Sequence, residues 1–130
     1  MKILVGYIES KAAGVVLDLA RQHAKAFNAD LFIMTSLVQG PELTKEVIDK
    51  TESRLEKIQQ SFKTDDIPCE AKASVSVRSP GEDLVDYAKN NNVDEIIIGV
   101  RKKSKVGKLM FGSTAQYVIL EAPCPVLAVK

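Results

Sequence analysis

Residues 93–99 read VDEIIIG, and the three consecutive isoleucines constrain the fold more than any other feature of the chain. Side chains alternate between the two faces of a strand, so an unbroken β-branched run requires apolar cover on both. Helices packed on each side of a parallel sheet supply that cover. Other segments repeat the arrangement. KILVGY (residues 2–7) reads as a first buried strand, and LFIMTSL (residues 31–37) as a second. Between them, from Lys11 to Phe27, Ala12, Val16, Leu19, Ala20, His23, Ala24 and Phe27 fall at helical spacing. Ser10 is the expected cap of that helix, and Asn28 its left-handed stop.

VQGPE breaks the second strand, after which Ile48, Thr51, Leu55, Ile58 and Phe62 mark a second helical stripe. A third strand is predicted over Glu70 to Val77, where Ala71, Ala73, Val75 and Val77 alternate with Lys72, Ser74 and Ser76. Such alternation fits a strand with one more polar face or at an edge. In SPGEDLVDYA, Ser79 and Glu82 form a capping box around Pro80, and asparagines 90–92 end the third helix. STAQ (residues 113–116) offers a second capping box, with Ala115, Val118, Ile119 and Ala122 facing inward. Pro123 and Pro125 stop that helix, and VLAV (residues 126–129) is the last strand. The pattern βαβαβαβαβ implies an α/β fold: a five-stranded parallel sheet with helices on both faces and right-handed crossovers.

Its length of 130 residues, with 45% hydrophobic and 27% charged, suits one domain over residues 1–130. A formal net charge of +1 argues against a global field for nucleic acid or an anionic membrane. No apolar run approaches the ~20 residues that span a bilayer, and MKILVGY has neither a long apolar core nor a cleavage site. The expected address is the cytoplasm. Cys69 and Cys124 make no C-x-x-C pair, so both are read as buried small apolar residues rather than zinc ligands or a disulfide.

Ligands of such sheets bind beyond the carboxyl ends of the strands. GVRKKSKVGKLMFGST (residues 99–114) follows the fourth strand and holds three glycines and five basic residues. It exceeds the usual strand-to-helix connection of roughly 2 to 6 residues. Its end, Gly112-Ser113, opens a helix, where free backbone N–H groups and the positive end of the macrodipole favour an anion. Arg101, Lys102, Lys103, Lys105 and Lys108 add positive charge beside it. A phosphate site and a plain solvated loop stand near parity on these grounds.

Taken together, KILVGY, SPGEDLVDYAKNNNVDEIIIG, the glycine loop and the closing APCPVLAVK occur in the order of the universal stress protein family, which the whole chain resembles. The resemblance implies a Rossmann-like, adenine nucleotide alpha hydrolase-like sheet with strand order 3-2-1-4-5. It implies a cytoplasmic regulatory module binding an adenine nucleotide, ATP or AMP, with magnesium accompanying ATP. Family members that bind ATP carry a glycine, two residues, a second glycine, nine residues, then glycine and serine or threonine. Gly99 and Gly112-Ser113 match that pattern, while Lys102 stands at the second glycine. The aspartate those proteins place after the first strand is Ile8 here. The implied nucleotide site comprises Tyr7, Ile8, Ser36, Ile98, Gly99, Lys102, Gly112, Ser113 and Thr114.

Both departures have a physical weight. Lysine in a left-handed turn costs roughly 1 to 2 kcal/mol, although its ammonium could equally reach a phosphate. A missing carboxylate acceptor removes on the order of 1 to 3 kcal/mol of binding. Weak or altered nucleotide binding is the expectation. The alternative is a nucleotide-free protein-interaction or adaptor module that forms a homodimer through Pro125 to Lys130, the last strand being the family's common dimer edge. Tyr7 and Ser36 either line an adenine pocket or simply end their strands. Ser113 caps its helix with or without phosphate, and His23 is read as a satisfied buried histidine.

Catalysis has little support. There is no G-x-S-x-G elbow, no P-loop and no histidine beside a nucleophile, so at most slow ATP hydrolysis is implied. The basic loop has no interleaved aromatic residues apart from Phe111, which leaves nucleic acid an improbable partner.

Overall fold

The computed structural model describes residues 1–100 and 112–130. Its elements are β1 (Lys2–Gly6), α1 (Ala13–Phe27), β2 (Asp30–Val38), α2 (Lys45–Thr64), β3 (Cys69–Ser76), α3 (Pro80–Asn90), β4 (Glu95–Gly99), α4 (Ser113–Glu121) and β5 (Val126–Val129). The strands form one sheet in the order β3-β2-β1-β4-β5, and every neighbouring pair is parallel. This is the five-stranded α/β sheet expected above, with β3 and β5 at its edges.

Strand alternation divides the core in two. Ile3, Val5, Leu31, Ile33 and Ile97 face α1 and α2, where Val16, Ala20, Leu55 and Phe62 meet them. Leu4, Ile96 and Ile98 face the other way, against Leu84, Val85 and Ala88 of α3 and Ala115 and Val118 of α4. The isoleucine run of β4 is thus buried on both faces, as its sequence requires. The alternating β3 segment lies at a sheet edge, as its more polar face allowed, since an edge strand needs less apolar cover. Cys69, Ala71 and Ala73 join the core, whereas Val75 is 48% exposed and Val77, beyond the strand, 80% exposed.

Helix ends follow local chemistry in three cases. Asn28 closes α1 in the left-handed conformation (φ 51°, ψ 50°). Thr44 caps α2 by accepting a hydrogen bond from the N–H of Val47. At α3 the capping box is complete: the Ser79 hydroxyl accepts from Glu82 N–H, and the Glu82 carboxylate accepts from Ser79 N–H.

Two cap expectations fail. α1 begins at Ala13 with Ala12 in the cap position and no side-chain cap, because Ser10 is taken up in a preceding turn in which its carbonyl accepts from Ala13 N–H. α4 has Gly112 as its cap residue, so Ser113 already lies inside the helix and cannot reach back around its own start. Three apolar assignments also change. Phe27 ends 53% exposed and Ile119 44% exposed, each at the margin of its helix's inward stripe, and Cys124 is only partly buried. His23 is partly buried rather than buried, and its Nδ1 lies 2.8 Å from Glu95 Oε1.

Candidate functional site

A cavity of about 990 Å³ opens at the carboxyl ends of β1, β2 and β4 and at the starts of α1, α3 and α4. Parallel topology puts it there, since each helix start returns from the same end of the sheet. Tyr7, Ile8, Ser36, Ile98, Gly99, Gly112, Ser113 and Thr114 all line it. Lys102, with the rest of the basic run, lies outside the described residues.

The wall from β1 and β2 is built first by backbone pairing. Tyr7 N–H donates to the Met34 carbonyl at 2.9 Å, and the Thr35 hydroxyl donates to the Tyr7 carbonyl at 2.8 Å. These bonds fix the chain where β1 ends. Tyr7 is buried, and burial, aided by nearby Glu9 and opposed by Arg54, raises its phenol above the ordinary value. Ile8 follows as the side chain turned toward water, 52% exposed although it is large and apolar. Ser36 has a buried hydroxyl oxygen with no hydrogen-bond partner among the described residues. A buried hydroxyl left unpaired is uncommon in a folded interior and marks a place where a ligand or water can bind.

The opposite wall is the α4 start. Gly112 has φ −62°, so backbone strain does not demand glycine there; among the described residues a Cβ would meet nothing within 4 Å. The first N–H groups of a helix favour an anion, and no described side chain caps those of α4. Gly99 at the end of β4 is less open, as an added Cβ would touch Ala12 and Val16 at 3.5 Å.

Sequence reasoning missed the floor contributed by α1 and α3. Lys11, Ala12, Ala13 and Val16 line the cavity, as do Pro80, Leu84 and Lys130. The available signal was positional: the residues after β1 must pass the same sheet end as those after β4. Among the described residues, the charged groups in the lining are Lys11 and Lys130, and no group of three or more metal-ligating side chains occurs. An anionic ligand with an apolar body suits this set; a magnesium ion would find hydroxyls but no carboxylate among the described lining residues.

The sequence model of the universal stress protein family matches residues 1–130. The chain belongs to the universal stress protein family. A universal stress protein of Thermus aquaticus is 30% identical over 98% of this chain and 97% of its own. A universal stress protein structure from Archaeoglobus fulgidus superposes with a TM-score of 0.86 at 30% identity, covering 100% of this chain and 93% of that one. Another Archaeoglobus fulgidus universal stress protein, solved in complex with dAMP, gives a TM-score of 0.80 at 26% identity, covering 99% and 96%. Both structural relatives span nearly the whole of this universal stress protein, including the strand ends that form its cavity.

Proposed function

We propose that this universal stress protein is a regulatory module that binds an adenine nucleotide, ATP or AMP, in the cavity at the carboxyl end of the sheet. The observation that carries the reading is the convergence of Tyr7, Ile8, Ser36, Gly99, Gly112, Ser113 and Thr114 on one cavity of about 990 Å³. That size lies within the roughly 300 to 1,000 Å³ of ordinary small-molecule sites. The α4 start receives the phosphate, and the wall of Tyr7, Ile8, Met34 and Ser36 receives the base. A relative that is 26% identical was solved with dAMP, which supports the assignment.

Binding is weak or altered because Ile8 offers the ligand no hydrogen bond, and Lys102 acts on the phosphates either as an added cation or as an obstruction. Magnesium enters, if at all, on the phosphates of ATP. The role we assign to the module is binding, with hydrolysis at most slow. We place it in the cytoplasm, as one unit over residues 1–130.

Isothermal titration with ATP, ADP and AMP tests the reading. Heat of binding at or below millimolar ligand is expected, reduced by Ser113→Ala with Thr114→Val. Absence of heat with all three nucleotides at millimolar concentration sinks it.

A second reading is favoured by the other side of the molecule. β5 is a sheet edge, and on α4 beside it Leu120 is 71% and Tyr117 38% exposed. A homodimer through Pro125 to Lys130 would pair that edge and cover those side chains. In this reading the protein is an adaptor; sedimentation of a strictly monomeric protein at high micromolar concentration removes it.

A further inference from the structure

The most exposed large apolar side chain among the described residues is Val77, at 80%, just past the end of β3; Val75, inside the strand, is 48% exposed. Every second residue of a strand shares a face, so Val75 stands on the side of β3 where Ala71 and Ala73 pack against the α2 layer. Beside those two alanines the β3 edge and α2 leave a groove of about 350 Å³, with Leu55 in its wall and Glu52, Glu56 and Gln59 along its α2 side. Small residues thus line a groove at one half of the edge, and large uncovered ones stand at the other half.

The backbone of the same edge is open in part. Leu31 N–H donates to the Pro68 carbonyl and Gln39 N–H to the Ser76 carbonyl, each at 2.8 Å, so the even-numbered residues of β3 bond to β2. Ala71, Ala73 and Val75 then point their N–H and C=O groups away from the sheet. Gln59 Oε1 accepts from the Ala71 N–H at 2.8 Å, which closes that position. Among the described residues nothing bonds the outward groups of Ala73 and Val75, and open edge groups are a template for another strand.

We infer that the β3 edge is an interface between two copies of this chain, paired antiparallel about a two-fold axis at Ser74. In this register Ala73 of each copy exchanges backbone hydrogen bonds with Val75 of the other. Residues directly opposite share a face, so each exposed valine lies over the alanine groove of its twin. The neighbouring registers are worse. Centring the pair on Lys72 sets two lysines directly opposite, and centring it on Val75 sets Lys72 opposite Arg78. Centring it on Ala71 or Ala73 needs the N–H that Gln59 already holds. At Ser74 none of these conflicts arises, because Lys72 falls opposite Ser76 and the strand ends there. This interface is separate from the β5 edge and does not depend on the nucleotide reading.

Sedimentation of the full chain up to high micromolar concentration tests the inference. Self-association is expected, weakened at least about tenfold by Val75→Lys with Val77→Lys and unchanged by Leu120→Lys on the far side of the molecule. Both valines are exposed, and thermal melts check that the variants fold. The register has its own test in a Cys124→Ser background. Opposed residues at a position such as Ser74 have Cα atoms about 4.5 Å apart, within the reach of a disulfide. Mild oxidation is expected to cross-link Ser74→Cys and to leave Lys72→Cys monomeric, since its twin lies four residues away along the strand. A wild-type protein that stays monomeric overturns the inference and leaves the groove to a strand of another protein. Association that survives in the folded valine variant, or that Leu120→Lys abolishes, overturns it too. Cross-linking at Lys72→Cys but not at Ser74→Cys overturns the pairing.

Discussion

The two ends of the sheet are finished differently. At the amino end, Lys2 N–H donates to Asp94 Oδ2 at 2.8 Å, Lys2 Nζ donates to the Asn91 carbonyl at 3.0 Å, and Asp30 N–H donates to the Met1 carbonyl at 2.9 Å. Here His23 meets Glu95, and the Arg21 guanidinium sits 4.4 Å from the centroid of the Phe62 ring. At the carboxyl end the Ser36 hydroxyl has no partner among the described residues, an isoleucine is half exposed, and α1 and α4 start without a side-chain cap among those residues. The starts of α2 and α3 at that end are capped by Thr44 and by the Ser79–Glu82 box, so the unmatched groups there are those gathered around the cavity. Local inconsistency concentrated at one place is what a functional site looks like against a foldable background.

The largest effect that could break this contrast comes from the amino end. Phe62 is fully buried near the last turn of α2, in the cluster with Leu31, Ile67 and Cys69. Phe62→Ala is expected to cost about 3 to 5 kcal/mol of stability by chemical denaturation. Nucleotide affinity of the protein that remains folded should stay as in wild type. If affinity falls together with stability, the two ends are coupled and the division drawn above is wrong.

A sharper and smaller comparison uses two serines in the same local motif. Ser79 in SPGE closes a capping box, and its hydroxyl is the leading cause that holds the Glu82 carboxyl below the ordinary carboxylate range. Ser113 in STAQ makes no cap bond. Ser79→Ala should therefore lose about 1 kcal/mol, and Ser113→Ala less than about 0.5 kcal/mol, as at a surface site without such a feature. Thermal melts of the two variants side by side decide it. Equal losses would mean that Ser113 caps α4 after all.

The same serines show what was legible in the sequence and what was not. Strand and helix identity followed from periodicity, because burial on both faces of β4 leaves an unbroken apolar run and burial on one face of α2 marks every third to fourth residue. The helix ends at Asn28 and Ser79 were legible because a left-handed asparagine and a capping box act within four residues. Ser10 and Ser113 misled because a cap depends on where the helix begins, and that is set by the preceding connection. For Ser10 a turn intervenes, and for Ser113 the glycine before it takes the cap position. The cavity's outer walls could be named from the strand ends, but Lys11, Pro80 and Leu84 enter through helix placement, which no local motif encodes. Ser36 could be placed in the site from sequence; that its hydroxyl lacks a partner is a property of tertiary packing.

A last comparison lies on the pH axis and again separates the two ends. Burial pushes the Cys69 thiol from an ordinary value of 9.0 up to about 11, against the opposing pull of Lys63 and Arg21. The folded protein thus holds this proton more tightly than the unfolded chain does. Below pH 9 the thiol is protonated in both states and stability does not depend on it. As pH rises from 9 to 11 the unfolded chain releases the proton first, so stability declines across that window and levels off above it. Tyr7, whose phenol is also raised by burial, adds to the loss at the alkaline end from the cavity side. Urea denaturation at stepped pH should show the decline in wild type, with the portion between pH 9 and 11 reduced in Cys69→Ala. A bound nucleotide should leave the Cys69 portion untouched, because that thiol sits under α2 at the amino end of β3, away from the cavity; if ligand alters it, the closed end senses the open one.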